Sequence, residues 1–145
     1  MLARSDLPVG AKVIAERSGA TPTLPGTHGA RALFKASRHF EATYRLPTKD
    51  VYSGAFVFAS QASARSGFAK LSRSLEAGHR PATMSRLGDA QLTTYVVADG
   101  LEHQFIVRRR NVVWELDVVD WNAVSRGKSR AAAFALARKQ QALVG

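Results

Sequence analysis

An α+β fold is predicted, a curved antiparallel sheet of about five to six strands with two helices packed on one face. Two turn-punctuated runs of period-2 alternation and two stretches of helical periodicity predict it. At 145 residues the chain fits a single domain spanning 1–145, and a domain of this size buries about 68–70% of the surface its unfolded chain exposes. Apolar residues make up 46% and charged residues 22%, outside the low-hydrophobicity regime of disordered chains.

The elements follow in chain order. Asp6-Leu7-Pro8-Val9-Gly10 is too rich in proline and glycine for a long regular element, and Lys12 to Glu16 reads as a short strand. Ser18 to Gly29, with two prolines and three glycines, reads as a loop within one fold. From Arg38 to Leu46, Phe40, Ala42, Tyr44 and Leu46 alternate with polar residues, as in a half-buried strand. Val51 to Phe58 is almost continuously apolar, which predicts a central strand covered on both sides. Ser60 to Ala77 sets Ala64, Phe68, Leu71 and Leu75 on one side of an amphipathic helix ended by Gly78.

The most informative stretch runs from Gln91 to Val119. Asp99-Gly100 and Arg110-Asn111 are candidate two-residue hairpin turns, the second because asparagine tolerates positive φ. Taken together they align a three-stranded meander pairing Val96 with His103, Phe105 with Leu116, and Val107 with Trp114. One face then carries Leu92, Thr94, Val96, His103, Phe105, Val107, Trp114, Leu116 and Val118. The other carries Tyr95, Glu102, Gln104, Ile106, Arg108, Glu115 and Asp117. A second helix over Gly127 to Val144 packs Ala133, Leu136 and Ala137 on the sheet, with Lys128, Arg130, Arg138 and Lys139 near its ends or outside.

A formal charge of +10 and a pI near 10.9 favour acidic partners, such as nucleic acid, anionic lipid headgroups, acidic polymers or an acidic protein, and the partner expected is an anionic macromolecule or an amphipathic ligand. The absence of cysteine excludes disulfides, thiol nucleophiles and cysteine-ligated metals. No apolar run approaches the roughly 20 residues needed to cross a bilayer. No cofactor or metal motif is present. Gly127-Lys128-Ser129 lacks the upstream glycine of a phosphate-binding loop, where Asn122 stands instead. Ser125 and Lys128 have the spacing of a serine–lysine pair, with no oxyanion site beside them. His28, His39, His79 and His103 follow no metal-ligand spacing, and His103 on the apolar face reads as a packed, hydrogen-bonded core histidine. Glu115 and Asp117 read as a solvated cross-strand charge network rather than a catalytic pair.

Two places remain for a binding site. Arg108, Arg109 and Arg110 at a protruding hairpin tip present guanidinium groups suited to phosphates or carboxylates. Trp121, after the last strand, reads as a plug at the sheet–helix junction, with ligand contact as the alternative.

The order of Asp6-Leu7-Pro8-Val9-Gly10, AFVFAS, ARSGFAKL, LGDAQ, VRRRNVVWELDV and ALARKQQ resembles a pattern in uncharacterised exported bacterial proteins and lipoproteins. In those the turn looks like Arg-Gly-Asn, and Arg110 here occupies the glycine place. The resemblance implies a non-catalytic envelope or surface domain separated from its N-terminal signal, and supplies no catalytic residues. The expected function is a non-enzymatic binding module of the bacterial envelope for an anionic or amphipathic partner, held in a sheet–helix groove or at the arginine hairpin. The alternatives are nucleic-acid binding through the general charge and, third, an enzyme whose site converges from separate loops.

Overall fold

The computed structural model describes residues 1–19, 36–76, 82–84, 89–97, 100–122 and 126–144. The strands are β1 (Lys12–Gly19), β2 (Arg38–Arg45), β3 (Lys49–Val57), β4 (Ala82–Met84), β5 (Asp89–Val97), β6 (Gly100–Arg109) and β7 (Val112–Asp120). The helices are α1 (Gln61–Glu76) and α2 (Arg126–Val144). All strand pairs are antiparallel, in the order β1-β2-β3-β7-β6-β5-β4. The six long strands and two helices are those expected, with the three-residue β4 added at one edge.

The helices do not share a face, and this corrects the expected architecture. On one side α2 sets Ala133 and Ala137 against Tyr44, Val51, Ala55, Phe105, Val107, Trp114, Leu116 and Val118. On the other α1 sets Ala64 and Leu71, with Phe68, against Phe56, Phe58, Ile106 and Val113. Residues 105 and 106 point to opposite faces of β6, as the period of a strand requires. Each helix has therefore found its own apolar patch. The signal for the second patch lay in the apolar run of β3 and the residue just beyond it, where Val51 and Ala55 are buried on the α2 side and Phe56 and Phe58 on the α1 side.

Local chemistry starts and ties the elements. Ser60 caps α1, its Oγ accepting a hydrogen bond from Ser63 N at 3.1 Å. The N-terminal segment folds over the α2 face, where Leu2 is fully buried, Leu2 N donates to Ser53 Oγ at 3.0 Å and Tyr44 Oη donates to Leu2 O at 2.7 Å. Gln140 of α2 is buried against the same strands. It accepts from Ser53 Oγ at 2.7 Å and donates to Gly54 O at 3.1 Å and to Glu115 O at 3.0 Å.

The β6–β7 register is as expected, with Phe105 opposite Leu116 and Val107 opposite Trp114. In β5–β6, Val96 pairs with Leu101 and Thr94 with His103, two residues from the expected alignment. Gly100 explains the difference. It pairs with Val97 inside the ladder, and a Cβ there would strike the Asp120 carbonyl oxygen, so this glycine serves close backbone approach rather than the turn. A shift of two leaves the faces unchanged. Residues 98 and 99, and with them Asp99, lie outside the described residues, as do His28, His79, Gly78, Ser125 and most of the expected 18–29 loop.

The second hairpin also carries a correction. Positive φ falls on Arg110, at 53°, and not on Asn111. Asn111 instead anchors the turn, its Nδ2 donating to Phe58 O at 2.9 Å while Phe58 N donates to Asn111 O at 2.8 Å. A left-handed conformation costs a residue with a Cβ roughly 1–2 kcal/mol. Arg110→Gly is expected to stabilise the domain by about 1 kcal/mol, raising the thermal midpoint by roughly 3 °C in differential scanning calorimetry.

Candidate functional site

Three surfaces carry chemistry. The first is a shallow groove of about 420 Å³ along one flank of α2, lined by Gly127, Arg130, Ala131, Phe134 and Arg138. Phe134 forms its apolar floor, packing edge-on against Phe105 of β6 with ring centroids 5.2 Å apart. The Arg130 guanidinium lies 5.7 Å from the Phe134 ring centroid, a cation–π contact. Neither Arg130 nor Arg138 has a carboxylate partner among the described residues. They stand eight positions apart, which at 1.5 Å per residue spaces their backbone positions by about 12 Å along the helix.

The second is the expected arginine hairpin. Arg109 and Arg110 are exposed, whereas Arg108 is half-buried and its Nη1 donates to Arg110 O at 3.4 Å. The cluster is therefore divided, with one guanidinium folded back on the turn. Trp121 is 41% exposed just beyond the end of β7, where its backbone N–H donates to Thr48 O at 2.9 Å. The structure does not bring Trp121 and the hairpin together: the hairpin follows β6 and Trp121 lies beyond the opposite end of β7.

The third surface is the α1 face of the sheet, which is split along its strands. One end, around Phe56, Ile106 and Val113, is apolar. In the neighbouring rows Glu41, Gly54 and Glu115 stand side by side, followed by Thr43, Tyr52, Asp117 and Gln104. Glu41, Gln104, Glu115 and Asp117 are all buried. The expectation of a solvated network is thus overturned. Tyr52 Oη donates to Glu41 Oε1 at 2.8 Å, and Gln104 Nε2 donates to Glu115 Oε1 at 2.6 Å. Gly54 makes room for this arrangement, since a Cβ there would stand 2.8 Å from the Tyr52 hydroxyl.

Burial dominates the electrostatics of these groups. It pushes Glu115 up to about 7; the Gln104 hydrogen bond opposes the rise, and Glu41 and Glu102 add to it. Asp117 is raised well above the usual carboxylate range, again by burial first and then by Glu115 and Glu102, with a hydrogen bond to Gln104 opposing the rise. The Tyr52 hydroxyl is pushed upward by burial and by the charges of Glu115 and Glu41. Asp120 behaves oppositely. Burial raises it, but hydrogen bonds from Lys49 and Ser129, together with the Lys49 charge, outweigh that effect and hold it below its ordinary value.

His103 is fully buried and its Nε2 is hydrogen-bonded to Ser129 Oγ at 3.0 Å, the packed role expected for it. With Asp120 these residues have the composition of a catalytic triad, and Ser129 is hydrogen-bonded to the Asp120 carboxylate, but the serine is buried. The group ties the first turn of α2 to β6 and β7. Among the described residues no three His, Asp or Glu side chains converge to hold a metal ion.

This arrangement of an open antiparallel sheet with one helix on each face has a solved counterpart. The fold is similar to that of the extracellular domain of PknH from Mycobacterium tuberculosis. The two superpose with a TM-score of 0.67 at 11% sequence identity, over 97% of this chain and 92% of that one. No family model matches the chain, and no curated protein matches it significantly in sequence. Among the described residues no helix is long and apolar enough to cross a membrane.

Sequence reasoning placed Arg130 and Arg138, together with Lys128 and Lys139, near the ends or outside of the second helix without joining any of them to Phe134, and it missed Glu41 and Tyr52. The signal for the latter pair was a polar Tyr52 and a Gly54 inside an otherwise apolar central strand.

Proposed function

We propose that this chain is a non-catalytic binding domain of the bacterial envelope that holds an anionic amphiphile in the groove along α2. The carrying observation is the pair Arg130 and Arg138, without carboxylate partners among the described residues, flanking the Phe134 floor of an open groove. A guanidinium recognises a carboxylate or phosphate head bidentately, while an aromatic floor receives an acyl chain. The net charge of +10 draws such ligands from solution. The structural likeness to an extracellular domain supports the setting.

Calorimetric titration with decanoate and with decylamine tests the reading. Decanoate is expected to bind and decylamine not. The double substitution Arg130→Ser with Arg138→Ser should weaken decanoate at least tenfold, since a hydrogen bond to a charged group contributes about 1.5–3 kcal/mol. Replacing Arg108, Arg109 and Arg110 with serine should leave that affinity unchanged; a loss there would move the anion site to the hairpin. Equal binding of both probes would refute the charge reading. Nucleic-acid binding, the alternative that the charge supports, would instead show an affinity falling linearly with salt in log–log terms.

A further inference from the structure

In a chain with twenty-one lysines and arginines, two buried carboxylates near the middle of the sheet have no basic partner. Neither Glu115 nor Asp117 is ion-paired among the described residues. Two acceptors in the cluster also have no hydrogen-bond donor: Asp117 Oδ1 and Gln104 Oε1, on side chains 9% and 5% exposed. The Gln104 head group lies within the cluster, because its Nε2 is bonded to Glu115. A buried acceptor left without a donor costs about 1–3 kcal/mol, more when charged.

We propose that this half of the α1 face binds an organic cation, an ammonium or guanidinium head whose N–H groups bond Asp117, Glu115 and the amide oxygen of Gln104. An ammonium offers three donors and a positive charge, which match the unfilled acceptors and the carboxylates around them. A metal ion fits less well, as no three carboxylate or imidazole groups converge among the described residues. The half-buried Thr43, Tyr52 and Glu102 form the rim nearest solvent, so the cation enters from the end of the face away from Phe56. The site lies on the opposite side of the sheet from the α2 groove and does not depend on that reading.

Protons compete with the cation. The groups facing Glu115 and Asp117 are Glu41 on β2, Tyr52 on β3 and Glu102 on β6, with His39 Nε2 3.9 Å from Glu41. The described charged residues of α1, Arg65, Lys70 and Arg73, are exposed. With both carboxyls raised, the empty site holds protons at neutral pH and releases them when the cation enters. Affinity therefore rises with pH.

Isothermal titration of the whole chain with 1,4-diaminobutane and with the tripeptide Gly-Lys-Gly, at pH 5.5 and pH 8, tests the site. Binding is expected to be at least tenfold tighter at pH 8, with net proton release read from buffers of different ionisation enthalpy. Glu115→Gln and Asp117→Asn, each shown to be folded by circular dichroism, should weaken it at least tenfold, whereas Arg130→Ser should not. Binding of the diamine alone assigns a free small amine. Binding of the tripeptide alone assigns a basic side chain of a partner. Failure of both probes to bind at pH 8, binding without proton release, or binding unchanged by both carboxylate substitutions overturns the proposal. The wild-type pH dependence decides the matter if a variant does not fold.

Discussion

Between pH 5 and pH 8 the thermal midpoint of the ligand-free domain is expected to fall by roughly 10 °C. Glu115 has its folded pKa raised from 4.5 to about 7, so the folded state holds a proton that the unfolded chain has released. Such a group contributes stability that is complete below the unfolded value and is lost as pH rises through the folded one. Asp117, raised in the same direction, deepens the trend. A shift of this size in a fully buried group corresponds to roughly 3 kcal/mol, and each kcal/mol moves the midpoint of a domain this long by about 3–4 °C. Glu115→Gln keeps the shape and the bond to Gln104 without the titration. It should flatten the profile and leave the variant more stable than the parent at pH 8. Calorimetric scans at half-unit steps check this; a midpoint that rises with pH would mean that the carboxylates are ionised and paired in the folded state.

Gln140→Leu is expected to destabilise the domain by about 3 kcal/mol although volume is conserved. Gln140 makes three hydrogen bonds in a fully buried position, to Ser53 and to the carbonyls of Gly54 and Glu115. Each group stripped of its partner in the interior costs on the order of 1 kcal/mol or more. Ser53 in turn receives Leu2 N, so the loss spreads to the N-terminal segment. Urea denaturation should show a lower midpoint at an unchanged slope. Ser53→Ala combined with Gln140→Leu should cost less than the sum of the two, because both remove one shared contact. Strict additivity would show that the chain from Leu2 to α2 is not a unit.

Much of the fold was legible because alternation and turn chemistry act locally. The β6–β7 register followed from Arg110-Asn111, and the burial of Ala133 and Ala137 from helical spacing. What failed depended on contacts between distant segments. Nothing near Gly100 in sequence says that the Asp120 carbonyl leaves no room for a Cβ, so the turn was placed one residue late. Nothing in α1 says which side of the sheet it covers, and nothing near Glu115 and Asp117 in sequence says that their face is closed to solvent. The arginine hairpin was visible as a run of like charge. The α2 groove was not, because Arg130, Phe134 and Arg138 form a line only after Phe134 has docked on Phe105.

The strand order also bears on how the chain reaches this state. β1 to β3 form one meander and β4 to β7 another, and the two meet only along β3 and β7. Within each meander the paired strands follow one another in sequence with at most 18 residues between them, whereas the nine pairs of the seam join residues 55 to 71 positions apart. Loop-closure entropy falls mainly on that seam. Its closing aligns the α2-side core of Val51, Trp114 and Val118 and sets Tyr52 beside Asp117. The slowest contact to form thus assembles the buried acidic row.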